Sequence, residues 1–453
     1  MDLSKLKQAL QILPDGAKET MVARVFVTEL MVLLGFDATE TVPEFSTGNG
    51  SDAVDFAFRK NTDDEFIKTQ SNPYLLLEAK GKDVNLSENS AQYKKTVSQL
   101  KRYLLGSNCQ SAQWGIITNS ENIQVFRKHG RVIHPATKLL EITIDNIDEI
   151  ILEIKKKIDN PHEALTVAVY NNKGGVGKTT TTVNLAATLA SLGKRILIID
   201  FDPNQQDLTN SLGISPNENT LYSWLVNKNE PRPDKLISTR KFRINSRFAI
   251  KPGNVSQFDI IASDNKLLSF GEDKLLQLID NRRLSQALES FRNQYDYIFI
   301  DSPPNWRFFS KSAVYASDVV LIPAEHDNIS SLRNAVTVVK NFIPEINKLR
   351  KDGSPVALPI FFNGGSITPS QKLSAQRAID EIISKSKKDK INPMDLEPYF
   401  YPKFTRSRKD KSIFEIPSYA HIASAAFSHK PAVCSNRKAL NHYEALAKEY
   451  FLQ

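Results

Sequence analysis

Cysteine is nearly absent from these 453 residues: Cys109 and Cys434 stand far apart and share no metal-ligand spacing. That argues against a disulfide framework and a thiolate zinc site, and it fits a reducing compartment. Long apolar runs are missing too. No segment approaches the ~20 apolar residues that a membrane-spanning helix needs. The N-terminus carries Asp2, Lys5, Lys7, Asp15, Lys18 and Glu19 where a signal peptide would have its apolar core. Internal repeats and long low-complexity segments are also lacking. The expectation is a soluble, cytoplasmic chain with no membrane partner.

What is present is ordinary globular composition, with 41% hydrophobic and 24% charged residues. At this length one core is too few, and two or three domains are expected. Lysine and arginine exceed aspartate and glutamate by 59 to 51, a formal charge of +8. Such a surplus leans mildly toward polyanions such as nucleic acid, and a well-solvated surface would produce it equally well.

The chain divides around Asp159-Asn160-Pro161-His162-Glu163, polar residues about a proline that follow a charged amphipathic stretch. We read 1–158 as a first domain, 159–164 as linker and 165–453 as a second domain. The second opens with Leu165-Thr166-Val167-Ala168-Val169-Tyr170, a short strand rich in β-branched residues. A glycine loop follows, then Thr179–Leu192 with helical spacing up to Gly193. Arg195–Asp200, Tyr297–Ile300 and Val319–Ile322 are continuous apolar runs suited to strands buried on both faces. Strands alternating with helices predict an α/β fold with a doubly wound parallel sheet. Residues 228–260 are less regular and rich in Arg and Lys, so a surface excursion is expected there.

The loop itself reads Lys173-Gly174-Gly175-Val176-Gly177-Lys178-Thr179-Thr180. Glycines between a strand and a helix let backbone N–H groups converge on phosphate, and the helix N-terminus adds partial positive charge. The standard G-x-x-x-x-G-K-[ST] pattern is not quite met, because Asn172 occupies the first glycine position. Lys178 would neutralise the β- and γ-phosphates of ATP, and the Thr179 hydroxyl would ligate Mg²⁺.

With these residues the chain resembles the deviant Walker ATPases of the ParA/MinD family, over roughly residues 165–450. In that family the extra loop lysine, here Lys173, reaches across an ATP-bound homodimer to the partner's nucleotide. A second cation there offsets charge on the transferring phosphoryl group. By the same resemblance Asp202, in Ile199-Asp200-Phe201-Asp202-Pro203, orients the attacking water, and Asp200 supports Mg²⁺ through water. Asp301, in Ile298-Phe299-Ile300-Asp301-Ser302-Pro303-Pro304, would hold the metal's water shell. Asn363, ending Leu358-Pro359-Ile360-Phe361-Phe362, matches the family asparagine that contacts adenine, and Pro417 lies in a segment beside the base. Asn at a strand end also arises for turn reasons alone.

Nitrogenase-type relatives need paired cysteines, and only Cys434 lies in this domain. MinD-like members end in a basic membrane-binding helix, whereas Ala439–Tyr450 has little cationic character and reads as a packed helix. The DNA-partition branch remains. It implies nonspecific DNA binding, nucleoid association and a ParB-like or cargo-adaptor partner. Lys403, Arg406, Arg408, Lys409 and Lys411 form a basic cluster suited to phosphates, or equally a solvated loop.

In the first domain, Val54-Asp55-Phe56-Ala57-Phe58 and Tyr74–Lys80 read as two strands. If they pair, Asp55 comes close to Glu78 and Lys80, which lie two apart on one strand face. Two carboxylates beside a lysine can hold Mg²⁺ and activate water for phosphodiester cleavage. This region resembles the PD-(D/E)xK nuclease core of type I restriction HsdR subunits over about residues 15–130. Gln99 and Tyr103 match the Q-x-x-x-Y helix motif of that group, and Trp114–Ser120 resembles its following strand. The resemblance implies a smaller restriction-endonuclease-like α/β domain, either an active nuclease or a retained DNA-binding or docking module. Three functions therefore compete: partition or positioning of DNA by an ATP-dependent dimer, an ATP-gated nuclease in defence or DNA processing, and cargo positioning in which the first domain only recognises a partner.

Overall fold

The computed structural model describes residues 3–88, 90–161, 164–217, 220–227, 235–245, 247, 255–270, 272–325, 328–364, 368–401, 414–417 and 428–453. Two compact units emerge. One comprises Met1–Pro161 with Lys351–Ser354 and Phe451–Gln453; the other comprises His162–Arg350 with Pro355–Tyr450. A single cut in the linker therefore does not describe the division. The chain's last residues belong to the first unit, where the Arg131 amide donates to the Phe451 carbonyl at 3.0 Å.

The first unit is built on a mixed sheet. Its strands are β1 (Thr41–Ser46), β2 (Ala53–Phe58), β3 (Leu75–Ala79), β4 (Trp114–Thr118), β5 (Asn122–His129), β6 (Val132–Pro135) and β7 (Leu140–Glu141). They run β1-β2-β3-β4-β5-β6, with β7 paired to β5. Only β3 and β4 pair in parallel; the other pairs are antiparallel. Side-chain alternation gives this sheet two apolar faces. Leu75, Leu77 and Ile116 join Phe26, Leu30, Ile147, Ile151 and Ile154 in one core. Leu76 and Ile117 join Leu100 and Leu104 of the Ala91–Leu104 helix in the other. Gly115 permits that second contact, since a Cβ there would lie 2.8 Å from a Leu104 methyl.

In the second unit the strands are β8 (Leu165–Val169), β9 (Ile196–Asp200), β10 (Ser238–Phe242), β11 (Ser256–Ile261), β12 (Tyr297–Asp301), β13 (Val319–Leu321), β14 (Pro323–Ala324), β15 (Val356–Ala357), β16 (Phe361–Gly364) and β17 (Glu415–Pro417). The main sheet is ordered β10-β11-β9-β12-β8-β13-β15 and is parallel apart from β10. β14, β16 and β17 form a short parallel sheet. All five positions of β8, β9 and β12 are buried, which explains their uninterrupted Val/Ile/Leu content. From β8 the chain builds β9 and β12 on one side and β13 on the other. That reversal opens a crevice at the carboxyl ends of the strands.

The surface excursion expected over 228–260 is corrected in part. Phe258, Ile260 and Ile261 are buried, and β11 pairs in parallel with β9. A short apolar run inside a cation-rich stretch reads as polar when averaged, yet three such side chains suffice for a strand that joins a sheet. The helix Arg437–Tyr450 is packed, burying Leu440, Tyr443, Leu446 and Tyr450.

Candidate nucleotide and metal sites

The glycine loop joins β8 to the helix Lys178–Ser191. Gly175 and Gly177 have φ of 83° and 79°, in the left-handed region that other residues enter at a cost. At Gly177 space matters as well, since a Cβ would sit 2.0 Å from Asn363 Nδ2. That amide donates to the Val176 carbonyl (3.2 Å), the Gly177 carbonyl (3.3 Å) and Thr181 Oγ1 (3.2 Å). Asn363 thus buttresses the loop from β16, and its amide nitrogen is engaged there rather than turned outward to a base. Pro417 stands beside it, paired with Gly364 across β16 and β17. Gly174 is exposed with open space around it, and Val176 is buried. Lys173 and Thr180 are half-buried, and the Thr180 carbonyl accepts from Asn184 Nδ2 at 2.9 Å.

Lys178 is buried, and its ammonium folds back to the Lys173 carbonyl at 3.0 Å. Burial lowers its pKa against the opposing pull of Asp301, Asp202 and Asp207. Parallel register places Asp301 of β12 beside Asp200 of β9 and Val169 of β8. One Asp301 oxygen accepts the Thr179 hydroxyl at 2.6 Å; the other is buried without a partner. Burial and the neighbouring Asp200 charge push the Asp301 pKa well up. Asp200 is held by the Thr209 amide (2.8 Å), the Thr209 hydroxyl (2.6 Å) and the Asp202 amide (3.2 Å), and burial raises its pKa to about 6. Asp202 accepts the Asn204 amide at 3.1 Å and the Gln205 amide at 3.2 Å; burial raises its pKa despite these bonds and Lys178.

Among the described residues, no three His, Cys, Asp or Glu side chains form a ready-made metal cage. That suits Mg²⁺, which takes one or two protein oxygens and completes its octahedron with phosphate and water. Thr179 Oγ1 and the orphaned Asp301 oxygen are donors of that kind, and a dication would relieve the carboxylates that burial now disfavours. The residues present fit the group.

Residues 164–354 match the family model described as an AAA domain. They also align with curated relatives. The sporulation initiation inhibitor protein Soj of Bacillus subtilis is 37% identical over 185 residues, covering 39% of this chain and 66% of Soj. The chromosome partitioning protein ParA of Myxococcus xanthus is 34% identical over 183 residues, covering 38% of this chain and 58% of that protein. Over this segment the chain is similar to ParA-type P-loop proteins. The chain thus spans less than two thirds of either relative's length. Among solved structures, pNOB8 ParA bound to nonspecific DNA covers 62% of this chain and 99% of its own, at 22% identity and a TM-score of 0.43. The basic residues Lys403, Arg406, Arg408, Lys409 and Lys411 lie outside the described residues.

The first unit holds a second constellation. β2 and β3 pair antiparallel, and the Asp55 carboxylate accepts the Ala79 amide at 2.7 Å. Lys80 Nζ donates to Glu78 at 2.7 Å and to Glu19 at 3.1 Å. The second Glu78 oxygen is buried without a partner. Burial, then the Asp55 charge, pushes the Glu78 pKa up to about 7, against the attraction of Lys80. Burial also raises Asp55. Gln99 donates to the Tyr103 hydroxyl at 2.8 Å, one helical turn on.

Sequence reasoning missed three residues. Glu19 starts a short helix far from β3 in sequence and meets Lys80 only through the fold. Thr209 clamps Asp200, and Glu325 brings a carboxylate oxygen 3.9 Å from where a Gly175 Cβ would stand. None carries a local pattern that would have marked it.

Proposed function

We propose that this chain is an ATP-hydrolysing switch that dimerises around ATP, holds DNA nonspecifically, and so partitions or positions DNA or an attached cargo. The observation that carries this reading is the convergence of Lys178, Thr179, Asp202 and Asp301 at the mouth of the glycine loop. Loop amides and Lys178 bind the phosphates of ATP, and Asp202 turns a water toward the γ-phosphate. Lys173 of each protomer reaches the nucleotide of the other and offsets charge as the bond breaks. Thr179, Asp301 and, through water, Asp200 would hold Mg²⁺. When bound, that ion neutralises charge on the β- and γ-phosphates. The name of Myxococcus ParA, a chromosome partitioning protein, supports placing the switch in DNA partition or a related positioning task. In this reading a ParB-like or adaptor protein stimulates hydrolysis.

ATP hydrolysis with and without plasmid DNA tests this, together with ATP-dependent dimerisation by light scattering. Wild type should dimerise with ATP and hydrolyse faster on DNA. A Lys178→Ala variant that still dimerises and binds DNA normally would sink the switch.

A second reading is favoured by one observation: Asp55, Glu78 and Lys80 meet in the first unit with one Glu78 oxygen left orphaned and buried. There the unit is a PD-(D/E)xK-like nuclease whose cutting ATP governs by pairing two copies. Mg²⁺- or Mn²⁺-dependent cleavage of plasmid DNA that Asp55→Ala leaves unchanged would eliminate it.

A further inference from the structure

The helix Pro369–Lys387 has 19 residues and, at about 1.5 Å per residue, is roughly 28 Å long. It ends in a braced loop. Ser386 Oγ donates to the Met394 carbonyl at 2.8 Å, and the Met394 amide returns to the Ser386 carbonyl at 3.1 Å. Lys387 ties the base to Asp395 and Glu397, each at 3.2 Å. At the turn, Asp389 accepts the Ile391 and Asn392 amides at 3.0 and 3.3 Å and pairs with Lys340 at 2.8 Å.

This rigid turn presents an unusual tip. Ile391 is 95% exposed, far above any other large apolar side chain named as exposed. Lys388 and Lys390 beside it are exposed and have no ion-pair partner among the described residues, whereas neighbouring Lys385 and Lys387 are paired. Holding an isoleucine in water costs hydrophobic free energy, and a mobile tip could fold it away; this one is bonded in place. The charge surplus on either side is complementary to a polyanion.

We propose that the Lys388–Asn392 loop is a contact to duplex DNA, in which Ile391 wedges at a minor-groove base step while Lys388 and Lys390 neutralise the flanking phosphates. Apolar side chains inserted singly at a base step kink the duplex, and cations along the groove hold it without reading sequence. A bilayer is the poorer match, because its affinity grows with apolar area and with clusters of four to eight cations. This inference rests on the DNA-holding reading above and adds where and how the duplex is gripped.

The test uses the full chain with ATP and Mg²⁺. Binding to a labelled duplex is followed by anisotropy from roughly 50 to 200 mM salt. Duplex bending is followed by energy transfer between end labels, and ATP hydrolysis is measured without DNA. Lys388→Glu/Lys390→Glu should weaken binding at least about tenfold and reduce the salt slope by about 1.8, at roughly 0.9 per phosphate. Ile391→Ala should keep the slope and lose the bend. Hydrolysis without DNA should stay at the wild-type rate in both. Wild-type DNA affinity and bending in these variants would overturn the loop contact while leaving the switch standing. Loss of binding to phosphatidylserine vesicles in place of DNA would overturn it too, in favour of a lipid surface. A wild-type chain that ignores DNA altogether would overturn both readings.

Discussion

Replacing Asp301 by Asn should make the nucleotide-free protein more stable at alkaline pH while abolishing its response to Mg²⁺ and ATP. The reasoning starts from the buried carboxylate: one oxygen accepts from Thr179 at 2.6 Å, the other has no partner, and Asp200 lies alongside in register. An asparagine oxygen can still accept the Thr179 hydroxyl, so the variant keeps that bond and sheds the charge. The amide nitrogen that replaces the orphaned oxygen is itself unpaired, so the relief is that of the buried charge alone, about 2 kcal/mol. For a domain of this size that is a rise of roughly 4–8 °C in melting temperature. The sign of the pH dependence follows from the raised folded-state pKa. Below the ordinary value of 3.8 the carboxyl is protonated whether folded or unfolded, and the two proteins should melt alike. As pH climbs, the unfolded state releases its proton first and wild type loses stability until the raised native pKa is passed. The advantage of Asp301→Asn therefore grows from pH 4 to about pH 8 and levels off by pH 9. Calorimetry across that range measures it, repeated with saturating Mg²⁺ and ATP, which should stabilise wild type and not the variant. A difference independent of pH, or equal stabilisation of both proteins by Mg²⁺ and ATP, would refute the account.

Two further outcomes follow from single contacts. Gly177→Ala places a Cβ 2.0 Å from Asn363 Nδ2 at a φ of 79°, so ATP binding measured by a fluorescent analogue should fall at least about tenfold, a loss of 1.4 kcal/mol. Adding Asn363→Ala removes the collision but not the backbone strain of about 1 kcal/mol, so the double variant should recover only part of the loss. In the first unit, a Glu78 pKa near 7 means that a proton competes with any divalent ion there. Nucleotide-free Mn²⁺ binding by calorimetry should therefore weaken about fivefold from pH 7 to pH 6, as the ligand protonates. Asp55→Ala should remove that binding, and a flat profile would mean that Glu78 does not ligate.

The parts of this molecule that could be read in the sequence are those whose physics is local. The glycine octet declares itself because a phosphate cradle needs its glycines, lysine and threonine within eight consecutive positions. Asp200 and Asp301 could be read because each ends an apolar run, and strands buried on both faces show as such runs. Asp55, Glu78 and Lys80 could be brought together on the assumption that two short strands pair, and β2 and β3 do pair. What escaped depends on tertiary contact. Asn363 fits a family position, but its amide binds the loop across a separation of 187 residues. Glu19 reaches Lys80 from a helix 61 residues away. β11 was hidden because its few apolar residues sit amid cations, and only the neighbouring β9 gives them a surface to cover.

These long-range contacts make the loop's state a property of more than the loop. Asn363 lies in β16, and five residues later Thr368 caps the helix that leads to the Lys388–Asn392 tip, its hydroxyl accepting from the Gln371 amide at 3.3 Å. The same asparagine fills the space a Gly177 side chain would need. When phosphates enter and the loop amides turn to them, any shift of Val176 or Gly177 must break or carry along the bonds to Asn363 Nδ2. A helix moves more readily as a body than by bending, so any displacement that reached Thr368 would be felt at the far end of Pro369–Lys387. Double-mutant cycles between Asn363→Ala and Ile391→Ala, read in DNA affinity with and without ATP, measure that coupling. A coupling near zero in both conditions would mean the nucleotide acts on DNA only through dimerisation; a value above about 0.5 kcal/mol with ATP alone would assign part of the switch to this helix.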